Sequence, residues 1–263
     1  MTTPPEPLIA PLIRHDEGGI TSLTLNRPAR YNTLDMETIA ALNDALAQIS
    51  ADPAVRVVVL GSTGRAFSTG HNLKEMRGRR EPDFLRTLLA ACARMMQRIT
   101  TLPQPVIAKV QGIATAAGCQ LVATCDLAIA ARSAQFATSG INYGLFCATP
   151  AVALSRTIAR KHALEMLFTG DFIDAETAAR IGLINHAVED AELETAVYAL
   201  ASKIALKSTY ATRLGKTSFY QQLDQPLDAA YRGASAALVE NLLAPDGLEG
   251  LEAFAEKREP RFI

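Results

Sequence analysis

Carboxylates are scarce in the middle of this chain. Between Asp83 and Glu165 the only acidic residue is Asp126, although the 263 residues carry 27 Asp and Glu against 26 Lys and Arg. A reaction that needs paired side-chain acids from that interval lacks them. The net charge is only -1, which removes the electrostatic case for nucleic acid or membrane partners. One short basic run, Arg77, Arg79 and Arg80, is offset by Glu81 and Asp83 and reads as a solvated loop. The four cysteines, Cys92, Cys119, Cys125 and Cys147, include no C-x-x-C pair. That argues for reduced, buried thiols rather than disulfides or zinc, and no other metal-ligand spacing appears. No apolar run reaches the ~20 residues that cross a membrane. Met1 to Pro11 is proline-rich and lacks a charged or long apolar signal region, so residues 1–12 read as a disordered lead-in. A soluble, cytoplasmic protein is the expectation.

What is present is apolar and small. Hydrophobic residues make up 49% of the chain, enough for a substantial core. Gly112 to Asp126 follows an apolar strand run, Pro105 to Val110, and opens an apolar helical run. Ala66 to Met76 follows Val55 to Leu60 in the same manner. Small side chains at a strand-to-helix turn let a ligand approach the backbone. The helix start then offers unpaired N–H groups and the positive end of a dipole, which suit a carbonyl oxygen gaining charge. Tight packing of small residues in a core gives the same pattern, so neither stretch decides alone.

Periodicity orders the rest. Strands are expected at Ile20–Asn26, Val55–Ser62, Pro105–Gln111, Asp126–Ala131 and Ile184–Val188, with amphipathic helices at Asp35–Ser50 and Phe84–Ile99. Helices at Pro150–Arg156 and His162–Phe168 close at Gly170, and Asp174 is placed to cap the next one. Beyond Asp190 the pattern is helical only, which divides the chain into a mixed region, 13–190, and a helical region, 191–263.

Together these stretches resemble the crotonase (enoyl-CoA hydratase/isomerase) superfamily. Gly112 to Asp126 resembles the family's G-x-A-x-G-G-G-C-E-L…C-D segment, and Ala66 to Met76 its F-x-A-G-A-D-[IL]-K-E-M segment. Asn26-Arg27-Pro28 with Asn32-Thr33-Leu34, and Phe254 with Glu256-Lys257-Arg258, match in the same order. The resemblance implies an α/β (α+β) fold, a crotonase/ClpP-like spiral of ββα units whose helical C-terminal region forms a homotrimer or a hexamer. It implies an acyl-CoA thioester as partner, with coenzyme A entering as part of the substrate and no other cofactor or metal required. The thioester oxygen would sit between the amides of His71 and Ala117, each donor contributing roughly 3–4 kcal/mol where measured elsewhere. The CoA body would lie along Ala29, Arg30 and Tyr31 and along Thr69, Gly70, His71, Asn72, Leu73 and Lys74. Phe254 and Lys257 match an aromatic residue and a phosphate-binding lysine, the lysine sometimes reaching from a neighbouring subunit.

The chain departs from the pattern where hydration is performed. The hydratase carboxylates fall at Gln120 and Gly140, neither of which exchanges a proton near neutral pH. Ordinary hydratase activity is therefore not expected, and the nearest likeness is to the enoyl-CoA hydratase domain-containing subgroup. His71 replaces the family's alanine, as in some decarboxylases, and titrates in the useful range. Gln120, Cys147 and Tyr143 are the other candidate side chains at the reacting group. Enolate chemistry by His71, hydration by another acid–base pair, and acyl-CoA binding without turnover all stay open at this level.

Overall fold

Three long, mostly apolar strands are each followed by a three-residue strand that turns into a second sheet, and then by a helix. The computed structural model describes residues 10–262, so the expectation for residues 1–9 lies outside the described residues. β1 (Leu12–Glu17) and β2 (Ile20–Leu25) form an antiparallel hairpin, and α1 (Met36–Ala51) follows. Three turns of the same plan come next. They are β3 (Val57–Ser62), β4 (Ala66–Ser68), α2 (Leu73–Gly78) and α3 (Pro82–Thr101); β5 (Val106–Val110), β6 (Ile113–Thr115) and α4 (Ala117–Thr124); then β7 (Leu127–Ala131), β8 (Gln135–Ala137), α5 (Ala148–Thr157) and α6 (Arg160–Thr169). β9 (Ile173–Asp174), α7 (Ala175–Arg180) and β10 (His186–Val188) complete the spiral. The long strands build a six-stranded sheet in the order β1-β2-β3-β5-β7-β10, and the short ones a four-stranded sheet in the order β4-β6-β8-β9. Apart from the terminal pairs β1–β2 and β8–β9, neighbours run parallel.

Parallel strands covered on both faces need apolar side chains on both, which is why β3 reads Val-Val-Val-Leu without alternation. Val58, Leu60, Ala108 and Ala130 face the main core with Leu46, Leu88 and Met95. Val57, Val59, Ile107 and Ile129 face the other way, onto Leu193, Val197 and Ala201 of α8 (Leu193–Ala205). Thus α8, helical by sequence and lying beyond Asp190, is a cover of the large sheet. Asp174 caps α7 by accepting from Thr177 N–H at 2.7 Å, and Gly170 ends α6 at φ 68°.

α9 (Thr209–Gln222), α10 (Leu227–Leu243) and α11 (Pro245–Glu256) pack on one another and bury little. Two polar ties hold α9 to the spiral: Arg213 donates to the carbonyls of Asp52 and Val55 at 3.3 and 3.0 Å, and Lys216 forms a clasp. Lys216 Nζ donates to Asp126 at 2.6 Å and to the carbonyls of Ile99 and Gln104 at 2.8 and 2.9 Å, using all three protons. Asp126 also accepts from Tyr220 Oη at 2.8 Å and from Val106 N–H at 2.7 Å. Burial drives the Lys216 pKa down and the ion pair opposes it. Asp126, the lone acid of its interval, is thereby a fastening and not a reagent.

Candidate functional site

The first turns of the second and third units meet. Gly118, in the first turn of α4, lies so close to β4 that a Cβ there would fall 2.1 Å from the Ser68 carbonyl oxygen. A Cβ on Gly70 would fall 2.8 Å from the Ala117 nitrogen, so the turn carrying His71 abuts the one carrying Ala117. No hydrogen-bond acceptor among the described residues takes the N–H of His71 or of Ala117. Ala117 opens α4, where the first amides have no intrahelical partner. Two free N–H groups therefore stand on abutting turns.

Ala116, just before, is held at φ 51°, ψ -121°, a conformation natural to glycine at the first corner of a type II′ turn. An alanine there stores about 1–3 kcal/mol of strain. The position belongs to the glycine-rich motif, and the chain keeps the turn without the glycine.

Buried Asn32 fastens the neighbouring loop. Its Nδ2 donates to the carbonyls of Thr63 and Ala66, both at 2.8 Å, and its own carbonyl accepts from Ser68 Oγ at 2.8 Å. Leu34 N–H bonds the Gly70 carbonyl at 2.8 Å. The loop bearing Ala29, Arg30 and Tyr31 is thus locked to the loop bearing His71, and Arg65 lies over the Tyr31 ring at 4.6 Å.

A cleft of about 1070 Å³ opens at these turns. Its wall includes Ala29, Arg30, Tyr31, Thr69, His71, Asn72, Leu73, Lys74, Ala117, Gly140, Tyr143 and Cys147. No carboxylate lines it, and its charged side chains are Arg30 and Lys74. Gly70 stands behind the wall and holds the spacing. The His71 ring borders the cleft, and its Nε2 is buried without a hydrogen-bond partner among the described residues. Burial lowers the His71 pKa below its ordinary 6.5, so the ring is neutral near pH 7.

Besides Gly70, three expected residues are not among those lining the cleft. Gln120 lies one turn along α4 from Ala117, buried, with Oε1 unpaired among the described residues. Phe254 is 86% exposed on α11, and Lys257 caps that helix in the left-handed region. Both are placed by a helix that packs on α9 and α10, and within one chain they do not join the site.

Position 140 has no room for a side chain as the loop stands. The loop 139–147 closes through Leu145 N–H to the Gly140 carbonyl at 3.0 Å. A Cβ on Gly140 would meet the Leu145 carbonyl oxygen at 2.6 Å and Cys147 Sγ at 2.8 Å. The space a side chain would leave by is filled. Burial raises the Cys147 pKa, with Sγ 3.5 Å from the Thr138 carbonyl, which disfavours the thiolate. The wall residues Leu145, Phe146 and Phe172 and the hydroxyl pair Thr115–Ser139, 2.8 Å apart, escaped the sequence reading. Only their neighbourhood to Gly140 hinted at them.

A spiral of ββα turns with two unpaired amides at one cleft is the arrangement that the crotonase resemblance implies. A family model described as Enoyl-CoA hydratase/isomerase matches residues 15–263, and the chain belongs to that family. It is 45% identical to rat "Enoyl-CoA hydratase domain-containing protein 3, mitochondrial" over 93% of this chain and 81% of the relative. An enoyl-CoA hydratase crystal structure from Mycobacterium smegmatis superposes with TM-score 0.94 at 48% identity, covering 96% of this chain and 98% of that one. The crystal structure of human enoyl Coenzyme A hydratase domain-containing protein 3 gives TM-score 0.94 at 42% identity, covering 96% and 100%. These relatives correct one expectation. Rat, Xenopus laevis and human proteins of this kind are named mitochondrial, against the cytoplasmic placement drawn from composition. Cysteine pattern and composition do not tell one compartment from another.

Proposed function

We propose that the chain binds acyl-CoA thioesters, holds the thioester oxygen between the His71 and Ala117 amides, and stabilises the enolate without hydrating a double bond. The observation that carries this reading is the pair of unpaired amides on abutting turns in a cleft that no carboxylate lines. Fixed donors favour the state in which negative charge has moved onto oxygen. Arg30 and Lys74, at the end bearing the Ala29–Tyr31 loop, suit the phosphates of coenzyme A. Water addition asks for an acid and a base, and the cleft supplies neither at 120 nor at 140.

The unpaired Nε2 of His71 favours one chemical role over others. A neutral imidazole beside the α-carbon can take its proton, the C–H electron pair then passing to the thioester oxygen. Where an α-carboxyl group leaves as CO2 instead, the pair left behind takes the same path, and a proton returns to carbon. The test is α-proton exchange of acyl-CoA esters in D2O, read by mass spectrometry, with crotonyl-CoA absorbance in parallel. Exchange that is lost in His71→Ala while binding persists supports the role. Brisk crotonyl-CoA hydration overturns the reading, and binding with no exchange or conversion across a thioester panel assigns a binding protein in its place.

The exposed apolar side chains of α9 to α11, among them Phe219, Leu227, Leu238, Leu243 and Phe254, support assembly into a homotrimer or hexamer. Light scattering after gel filtration tests this, and a monomer at micromolar concentration refutes it.

A further inference from the structure

We infer that the hydroxyl pair Thr115–Ser139 is a positioning device for the Ala117 amide, restraining the strained Ala116 so that the free N–H keeps its direction. The inference rests on the thioester reading and adds two positioning residues to that site.

The strain sits one residue before the donor. Ala116 is held at φ 51°, ψ -121°. An alanine stays there only where its surroundings fix it. The ψ of Ala116 sets the plane of the peptide that carries the Ala117 N–H. Relaxation of Ala116 towards an ordinary alanine conformation turns that plane, and the donor turns with it. Glycine, which the family resemblance implies at 116, adopts the conformation without such restraint.

Restraint reaches Ala116 from three directions. The β6–β8 ladder sets Thr115 opposite Ala137, and Ala116 N–H bonds the Ala137 carbonyl at 3.0 Å. A Cβ on Gly70 would fall 3.0 Å from the Ala116 methyl and 3.1 Å from the Thr115 carbonyl oxygen, so the turn at 70 abuts this residue as well. The hydroxyl pair is the third tie. Thr115 Oγ1 and Ser139 Oγ lie 2.8 Å apart, and Ser139 N–H donates to Thr115 Oγ1 at 3.5 Å.

Only the third tie is made by side chains. It joins the end of β6 to the turn Ser139–Tyr143, which lies past the end of β8. Thr115 is 7% exposed, and both residues border the cleft. A hydrogen bond shielded from water at the end of a strained turn holds the two segments in one arrangement.

The test couples the pair to the strain. Thr115→Val removes one hydroxyl at nearly constant shape, and the Ser139 hydroxyl left behind borders the cleft, where water can reach it. The probe is butyryl-CoA with an isotope-labelled thioester carbonyl, read by difference infrared spectroscopy, with coenzyme A as the calorimetric control. Binding to the wild type is expected to lower the carbonyl stretch, as donors on the oxygen do. Thr115→Val is expected to lose at least about half of that lowering and about fivefold in butyryl-CoA affinity, the worth of one hydrogen bond. Affinity for coenzyme A should stay within about twofold. Ser139→Ala should behave alike, and it carries the test if Thr115→Val fails to fold. Adding Ala116→Gly should restore the stretch and the affinity, because glycine holds the turn unaided. An unchanged stretch in Thr115→Val and in Ser139→Ala overturns the inference and leaves the thioester reading standing. A loss that Ala116→Gly does not repair also overturns it, since the hydroxyls then act on something other than the strained turn. Failure of the wild type to bind butyryl-CoA, or binding without any lowering of the stretch, removes the underlying reading instead.

Discussion

The two walls of the cleft have met sequence change in different ways. The wall at 68–72 and 115–118 carries alanine at 116 and 117 where the family resemblance implies glycine, and both free amides remain. A backbone donor belongs to no side chain, so it survives substitution wherever the turn survives. The wall at 139–147 contributed an acid in the pattern the family resemblance implies, and here one position is glycine with its exit filled. A side-chain reagent is lost with a single substitution. Backbone donors are the part of this cleft that substitution leaves standing, and a side-chain acid is the part that substitution removes.

Breaking the durable wall should have the largest effect. In Gly118→Ala the new methyl meets the Ser68 carbonyl at 2.1 Å, with backbone on both sides. Acyl-CoA affinity is expected to fall at least ~100-fold or the chain to fail to fold, because neither turn can yield alone. Calorimetry and circular dichroism separate the two outcomes, and retained affinity would mean that the turns are not in contact.

The clasp behind that wall comes next. Lys216→Met leaves the Asp126 carboxylate largely buried opposite no cation. The expected loss is about 3–5 kcal/mol in urea unfolding. A loss below about 1 kcal/mol would show the ion pair to be idle.

Restoring the fragile wall is expected to fail. In Gln120→Glu with Gly140→Glu, crotonyl-CoA hydration should stay at background, because the side chain at 140 has no path past Leu145 and Cys147. Adding Cys147→Ala should not suffice, since the Leu145 carbonyl remains. A rise of ~100-fold in the spectrophotometric assay of either variant would show the loop to be compliant.

Two smaller effects sharpen the contrast. Ala116→Gly relieves the left-handed alanine and should stabilise by about 1 kcal/mol, the released strain exceeding the extra freedom of an unfolded glycine. His71 is expected to give the mildest signal. Its pKa is lower folded than unfolded, so the unfolded chain takes the proton first as pH falls below 6.5. Its contribution is complete above that value and is lost as pH drops through it towards the lower folded pKa. Urea unfolding of the wild type and of His71→Asn across pH 4.5–7.5 should show a shallower pH dependence in the variant.

Legibility followed the length of the signal. β3, β5, α1 and α3 were readable because an apolar run or a helical stripe persists over five residues or more. β4, β6 and β8 have three residues each and β9 two, too short for a period, and the hairpin strand β1 was masked by its exposed pattern. The spiral was expected from resemblance alone, since its repeat is one of chain direction and not of residues. Among site residues, those beside Ala117 and His71 were accessible by motif. Phe172, 32 residues beyond Gly140, carries no mark in the sequence that it faces the same cleft.

By itself the sequence determined which atoms are available. It set two turns of small residues at strand-to-helix junctions, a histidine at one of them, and an interval with a single acid. Such facts are local, and a chain states them in order. Tertiary structure decided where those atoms meet. It spent the one acid on Lys216 and Tyr220, pressed Gly118 against Ser68, and closed the way out of position 140 with a carbonyl and a sulfur. Contacts of that kind join residues far apart along the chain through close packing, and the order of residues does not record them.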